Sequence, residues 1–473
     1  MAVAEIPVEL QNIIVENVSD PADLHRIAQV SRDFNFLSFS RLCSLYNVHP
    51  HGGILRLDKA TLPILSSLAI SLSMVGETFH FLRCDLTSIQ APDELLKQTR
   101  SLCNFVKILG SVQTANVYTV NAGPKEWEDT MAAVYDTLAS KASDLHIRTL
   151  AQSTTAPSRN DKLTEVLQES LLPSADRIGN SRCVKPTNLL ESCNLQTLPT
   201  FLQSTLLYQL NAAYRLTSLT FRYISNCQEW DDFIDHLRLP FLATLTISHC
   251  IIPGKTFSTF LNNHPTITSF DFHHNTHLRN NPLILPSGIL PRLNKLRTSS
   301  EYLIRYFPPL DTFPDLTMVS LPAGDMARDS NRSTMVLKAL IPCVNDITLS
   351  LEFDYVQCLD HWLRENLDRA HEVQHVNRCL KESDPTRDLS CVKALKLDSS
   401  MIACSTDGVV DLLVKWLCIF PALARVFIMR PCLPAVFTRD RFEEFAKSVA
   451  RGSQVVKTIS VEADDLGIWT WCC

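Results

Sequence analysis

Residues 242–250 read LATLTISHC, and residues 267–275 read ITSFDFHHN. Both follow one template: apolar at the first, fourth and sixth positions, then Cys or Asn at the ninth. Alternation through the middle of the template is the period of a strand that buries one face. Residues 216–221, LTSLTF, repeat its strand part. Weaker copies are LNKLRT at 293–298, LTMVSL at 316–321, VNDITL at 344–349, VKALKL at 392–397, LARVFI at 423–428 and VKTISV at 456–461.

Working outward, the fourth-position residues are Leu219, Leu245, Phe270, Leu296, Val319, Ile347, Leu395, Val426 and Ile459. They recur at intervals of 26, 25, 26, 23, 28, 48, 31 and 33 residues. Between them, helical periodicity predicts helices at about 229–238, 254–263, 301–307, 331–341, 408–420 and 439–450. Upstream, strands around Leu55, Leu82, Val117, Leu145 and Leu195 alternate with helices near 61–72, 92–107, 125–140 and 199–212. One strand and one helix at this spacing resembles the leucine-rich repeat, in which neither element buries its apolar face alone and stacking builds the core. The expected fold is therefore α/β: an irregular leucine-rich-repeat-like solenoid over residues 46–473, with parallel strands on a concave face and helices on a convex one. Two stretches break the spacing and read as insertions, about 150–190 and 352–391. A multidomain α/β enzyme is the competing architecture, and the spacing argues against it.

Alternation also assigns the residues between inward apolar positions to the opposite, open face. That row is Thr220, Thr246, Asp271, Arg297, Ser320, Thr348, Lys396, Phe427 and Ser460, flanked by Arg222, His273, Lys295, Arg425 and Met429. Its mixed charge suits recognition of a protein. Thr246, Asp271, His273, Arg297, Lys396 and Phe427 are the expected target-binding residues; the target is unknown.

The first forty residues differ. Pro7 suits a first helical turn, and Ser19-Asp20-Pro21 supplies a cap and a proline for a second helix. Ser31 opens a third. Three short helices carry more apolar surface than they can bury among themselves. The order Ile6-Pro7-x-Glu9-Leu10, then Ile13, Asp23-Leu24 and Val30-Ser31-Arg32-Asp33-Phe34 resembles the F-box. With the repeats, it is similar to F-box proteins with leucine-rich-repeat-like C-terminal regions of the fungal type. The match covers roughly residues 5–45, so residues 1–45 are the expected module, with Ile6 for the usual Leu and Phe34 for the usual Trp. The resemblance implies a substrate-recognition subunit of an SCF-type cullin-RING ubiquitin ligase. Ile6, Pro7, Leu10, Ile13, Leu24, Val30 and Phe34 would contact the adaptor subunit, and through it a cullin. Such a subunit holds a target near the ligase and is not an enzyme.

Composition narrows the remaining classes. Only 12 of 473 residues are Gly, about 2.5% against an ordinary ~7%, which disfavours folds built on Gly-lined phosphate loops. The net charge is −6, so a phosphate-tracking nucleic-acid binder is not expected. No secretory signal and no spanning apolar run appear, so a cytoplasmic or nuclear, membrane-free chain is expected. Sixteen scattered Cys without a CxxC read as free thiols. The terminal Trp471-Cys472-Cys473 reads as a thiol end, with lipidation as the alternative.

Three segments look like catalytic motifs. Gly254-Lys255-Thr256 lacks the earlier glycine of a P-loop, since position 249 is His, and reads as a turn into a repeat helix. His371-Glu372-Val373-Gln374-His375 has the form of a zinc-hydrolase helix. Arg378 and Lys381 stand where a metzincin needs Gly and His, so two solvated histidines in an insertion is the preferred reading. His273, His274 and His277 read as surface. No cofactor or metal is expected. The alternatives are a zinc-dependent hydrolase at 371–375, or a plain repeat scaffold capped by its first helices.

Overall fold

The computed structural model describes residues 6–48, 50, 53–58, 60–120, 123–150, 189–197, 199–224, 227–273, 276–279, 285–322, 330–343, 345–353, 359, 361–364, 367, 389–399, 408–418, 420–429, 432, 438–463 and 467–472. Two compact units divide the chain, residues 1–215 and 216–473.

In the first unit, three helices come first: α1 (Val8–Asn17), α2 (Pro21–Ile27) and α3 (Arg32–Leu45). They precede β1 (Ile54–Leu57), α4 (Leu65–Ile70), β2 (Thr78–Asp85), α5 (Pro92–Ile108), β3 (Ser111–Val120), α6 (Lys125–Lys141), β4 (Ala142–Leu150), β5 (Ser192–Gln196) and α7 (Gln203–Ala212). The strands lie in chain order and pair in parallel. Leu55, Leu82, Ala115, Leu145 and Cys193 are successive register partners, and all are buried. Burying each such leucine stabilises by about 2 kcal/mol.

Behind the strands, α5 and α6 carry the largest buried side chains. Trp127 is enclosed, and its indole N–H donates to Thr99 Oγ1 at 2.9 Å, so burial leaves no orphan donor. Lys141 Nζ donates to the carbonyls of Val106 (3.0 Å), Lys107 (2.7 Å) and Leu109 (2.5 Å), closing the C-terminus of α5 with a cation. Gly110 sits where a Cβ would strike the carbonyl oxygen of Gly76. Scarce glycine is thus spent on a close backbone approach.

In the second unit the order is β6 (Ser218–Arg222), α8 (Cys227–His236), β7 (Thr244–Ser248), β8 (Ile251–Pro253), α9 (Gly254–Asn263), β9 (Ser269–His273), β10 (His277–Arg279), β11 (Lys295–Thr298) and α10 (Ser300–Tyr306). It continues with β12 (Met318–Pro322), α11 (Ser330–Leu340), β13 (Ile347–Phe353), β14 (Val392–Ser399), α12 (Gly408–Leu417), β15 (Arg425–Ile428), α13 (Arg439–Gly452), β16 (Thr458–Ala463) and β17 (Gly467–Cys472). The main strands run β6-β7-β9-β11-β12-β13-β14-β15-β16, all parallel, and β17 closes the row antiparallel to β16. Strands β8 and β10 form a separate parallel pair. The chain is therefore a mixed α/β protein with mostly parallel strands.

One buried ladder crosses the second unit: Leu219, Leu245, Phe270, Leu296, Val319, Leu349, Leu395, Val426 and Ile459. It matches the sequence marks except at β13, where Leu349 replaces Ile347. Consequently Ser350, not Thr348, occupies the middle outward row, paired with Ser320 and Lys396. Thr348 lies two residues back, beside a register shift between Ile347 and Thr348. Aromatic rings fill the interior, with Phe272 stacked 5.4 Å from Phe257 and Trp362 edge-on 4.9 Å from Trp416. Trp362 falls in the stretch 352–391 read as an insertion, and its side chain is core.

Few turns use glycine. Thr197, Tyr223 and His249 each follow a strand with positive φ, at 51°, 57° and 54°, a conformation that costs a side-chain-bearing residue about 1–2 kcal/mol. Cys250 closes the template as read: it is buried and its thiol donates to the carbonyls of Ser248 (3.2 Å) and Phe221 (3.5 Å). Asn294 Nδ2 likewise donates to the Asp315 carbonyl at 3.2 Å. Gly254 opens α9, the turn into a helix.

Candidate functional site

The first candidate surface is on the three N-terminal helices. Asp20 accepts from Ala22 N at 2.8 Å and Ser31 from Phe34 N at 3.2 Å, so both expected caps start their helices. Inside the triangle pack Val15, Leu24, Phe34 and Leu42, supported by Val18, Ile27, Leu37 and Tyr46. Leu24 and Phe34, at 0% and 8% exposed, are therefore the module's own core. That revises their expected place in an outer contact. Ile6, Leu10, Ile13 and Val30 are the opposite, at 44%, 51%, 53% and 70% exposed. Pro7 is also exposed and stands at the N-cap of α1. Gln11 Nε2 donates to the Ile6 carbonyl at 2.7 Å and holds that residue against the start of α1. Val8 and Ile14 extend the apolar surface, which is large for an unpartnered module.

Asn35, which the motif does not include, ties this module to the end of α4. Its amide donates to the carbonyls of Ala28 and Ile70, each at 3.0 Å, and its oxygen accepts from Leu72 N at 3.0 Å. A polar residue next to the motif's aromatic, with an apolar helix further along the chain, is the only sequence signal for it. His25, half-buried, faces Ser67 Oγ at 3.4 Å; burial, then nearby Lys97, pushes its pKa down.

The second candidate is the outward row of the second unit. Thr246, Asp271 and Arg297 are register partners on β7, β9 and β11. Lys396 and Phe427 are partners on β14 and β15. His273 ends β9 opposite Ser248. Arg297 is gripped rather than open: NH2 meets Glu352 Oε2 at 2.6 Å, Nε reaches both Glu352 oxygens at 3.1 Å, and NH1 meets Asp271 Oδ2 at 3.1 Å. Ser320 Oγ donates to Glu352 Oε1 at 2.6 Å. Burial alone would lower the Arg297 pKa, but Glu352 and Asp271 outweigh it and raise it. Lys396 Nζ pairs with Asp398 Oδ2 at 3.0 Å. Glu352 is not among the expected residues, although the alternation of LSLEF at 349–353 places it outward. The row is thus mostly small hydroxyls and neutralised pairs, with Phe427 half-buried among them.

Burial pushes the thiol of Cys43 up to about 11 and those of Cys193, Cys250 and Cys432 up to about 12, making them poor nucleophiles. Among the described residues, no three of His, Cys, Asp and Glu converge as a metal set. The segment 371–375 and His274 lie outside the described residues, as does Cys473; Cys472 is exposed. An open groove of about 1120 Å³ lies along the starts of the second unit's strands. It is lined by Thr244, Ser269, Arg292, Lys295, Asp315 and Asp346 among others, without bias of charge. No described helix is long and apolar enough to cross a membrane.

No protein-family model matches the chain. No curated protein matches it either. Among solved structures, it is similar to a chain of the "Crystal structure of Rad7 and Elc1 complex in yeast", at 14% identity and a TM-score of 0.31, over 89% of this chain and 88% of that one.

Proposed function

We propose that the chain is the substrate-recognition subunit of an SCF-type cullin-RING ubiquitin ligase. Residues 1–45 would be the F-box that docks the adaptor, and the remainder a leucine-rich-repeat-like solenoid that holds a target protein. The observation carrying this reading is the split within the motif. Leu24 and Phe34 build a self-contained core, while Leu10 and Ile13 on α1, Ile6 before it and Val30 in the turn after α2 stay exposed. A structural cap would direct such residues inward; an apolar surface of this size fits a partner. The chain would do no chemistry itself, and proximity of target to ligase would be its contribution.

The test is capture of the SCF adaptor by the purified chain. Ile6→Asp with Pro7→Ala, and separately Leu10→Asp, should abolish capture and leave the melting curve in place. Leu24→Ala should instead lower stability by about 3 kcal/mol. Undiminished capture by the Ile6/Pro7 variant would refute the docking assignment. If the wild-type chain captures no adaptor at all and deletion of 1–45 unfolds the first unit, the scaffold reading stands instead.

A further inference from the structure

The outward face of the first unit carries a set of cations of another kind. Arg56 on β1 and Arg83 on β2 are direct register partners. Arg148 on β4 is the register partner of Tyr118 on β3, whose other neighbour is Asp85 on β2. The inward neighbours Leu55, Leu57, Leu82, Cys84, Val117 and Ile147 are buried, which fixes the arginines on the opposite side. Arg56 lies over the Phe81 ring at 5.6 Å, and Arg83 over the Tyr118 ring at 4.7 Å. Rings hold the guanidinium planes in place without cancelling their charge.

Three acids lie near them, each engaged by its own neighbours: Asp58, two residues beyond Arg56, accepts from Ala60 N at 3.0 Å and Thr61 Oγ1 at 3.0 Å. Asp85 stands 3.8 Å from Arg83, and one of its oxygens is occupied by Thr87 N (3.1 Å) and Thr87 Oγ1 (2.6 Å). Asp144, at the far end, accepts from Thr114 Oγ1 at 3.4 Å. Among the described residues, neither Arg56 nor Arg148 has a carboxylate partner. Like charges held side by side across strands repel, so an anion between Arg56 and Arg83 relieves a cost the free face carries. The chain's net charge of −6 disfavours a phosphate backbone on this face and leaves a protein's carboxylates as the fitting anion.

We infer that this face binds an acidic segment of a protein, with Arg56, Arg83 and Arg148 meeting its carboxylates over the Phe81 and Tyr118 rings. This deepens the receptor reading by naming the target's chemistry, but its test needs no adaptor, so the two stand or fall separately. Binding of a fluorescein-labelled poly-glutamate peptide to the full chain is measured by anisotropy. The comparison probes are poly-glutamine and a single-stranded oligo-thymidine of equal length. The expected result is saturable, salt-sensitive binding of the glutamate peptide alone. It should weaken at least about tenfold in Arg56→Gln/Arg83→Gln/Arg148→Gln. It should be unchanged in Lys97→Gln/Lys125→Gln/Lys447→Gln, which removes equal charge from exposed helix surfaces. Absence of wild-type binding, equal loss in both triple variants, or equal or tighter binding of the thymidine strand each overturns the inference.

Discussion

Arg297 in the second unit and Arg56 and Arg83 in the first are held on outward strand faces in opposite ways. In the second, Arg297 lies between two carboxylates and donates to Asp271 and Glu352, with Ser320 completing the cluster. In the first, Arg56 and Arg83 lie over rings. An arginine between acids has spent its charge on its own fold, whereas one over a ring is oriented and still charged. Position on an open face therefore does not by itself mark a binding residue; what surrounds the charge decides. By that standard, Arg297 and Asp271, expected from the sequence to meet a target, are first of all each other's partners.

Breaking the clamp should have the largest effect. Arg297→Ala leaves two half-buried carboxylates facing each other. A fully buried pair broken this way costs about 3–5 kcal/mol. Arg297 keeps partial solvent access, which screens the pair, so a loss of about 2 kcal/mol is expected. Urea unfolding of the variant reads it directly. Arg297→Met combined with Glu352→Leu should recover most of the loss, because the charge left behind goes too. A single variant as stable as wild type would remove the contrast between the faces.

The same geometry decides how much of this face is legible in the sequence. A strand's parity can be read from alternation, because a slip by one residue sends every side chain to the wrong face. A slip by two preserves parity and leaves no trace in the pattern. That is what separates Thr348 from Ser350: ITLSLEF at 347–353 alternates so evenly that the template's fourth and sixth positions fit at either place, and its apolar first position, Val344 against Asp346, favours the one the fold does not use. The N-terminal motif shows the converse limit. Its apolar positions are all legible, but spacing cannot tell Leu24, which faces its sister helices, from Leu10, which faces away. The arginine face is not legible, because its members sit on strands far apart in sequence, one per strand. The available signal is an arginine between two inward-facing residues in ILRL, FLRC and HIRTL, and only strand register aligns them.

Acid should sharpen the comparison further, with a smaller effect. His264 is buried in the second unit, where its Nε2 accepts from Leu239 N at 3.1 Å and its Nδ1 faces the Phe260 carbonyl at 2.6 Å. Burial pushes its pKa down, the Phe260 carbonyl opposes this in part, and Arg238 adds to the lowering. A histidine whose folded pKa lies below its unfolded value stabilises the fold fully above ~6.5 and loses that contribution as the pH falls toward the folded value. Stability of the second unit should therefore decline between pH 7 and 5. Denaturation followed at both pH values reads this, and His264→Gln should flatten the dependence. His25 in the first unit shifts the same way but is only half-buried, so its share should be smaller.

The smallest stability effect is expected where the largest binding effect is. Arg83→Gln removes a cation over the Tyr118 ring and a 3.8 Å contact to Asp85. An exposed cation–π pair contributes about 0.5–1 kcal/mol, and a long surface ion pair less. Removing Arg83 also ends its repulsion with Arg56, which acts in the other direction. The net change in unfolding free energy should stay within about 0.5 kcal/mol. Arg83→Lys separates the two contributions: it keeps the charge and the repulsion but loses the flat guanidinium that the ring orients. If the face serves the fold alone, Lys and Gln should differ in stability and neither in peptide capture. If it serves a ligand, the two should melt alike, with Lys retaining part of the binding that Gln loses.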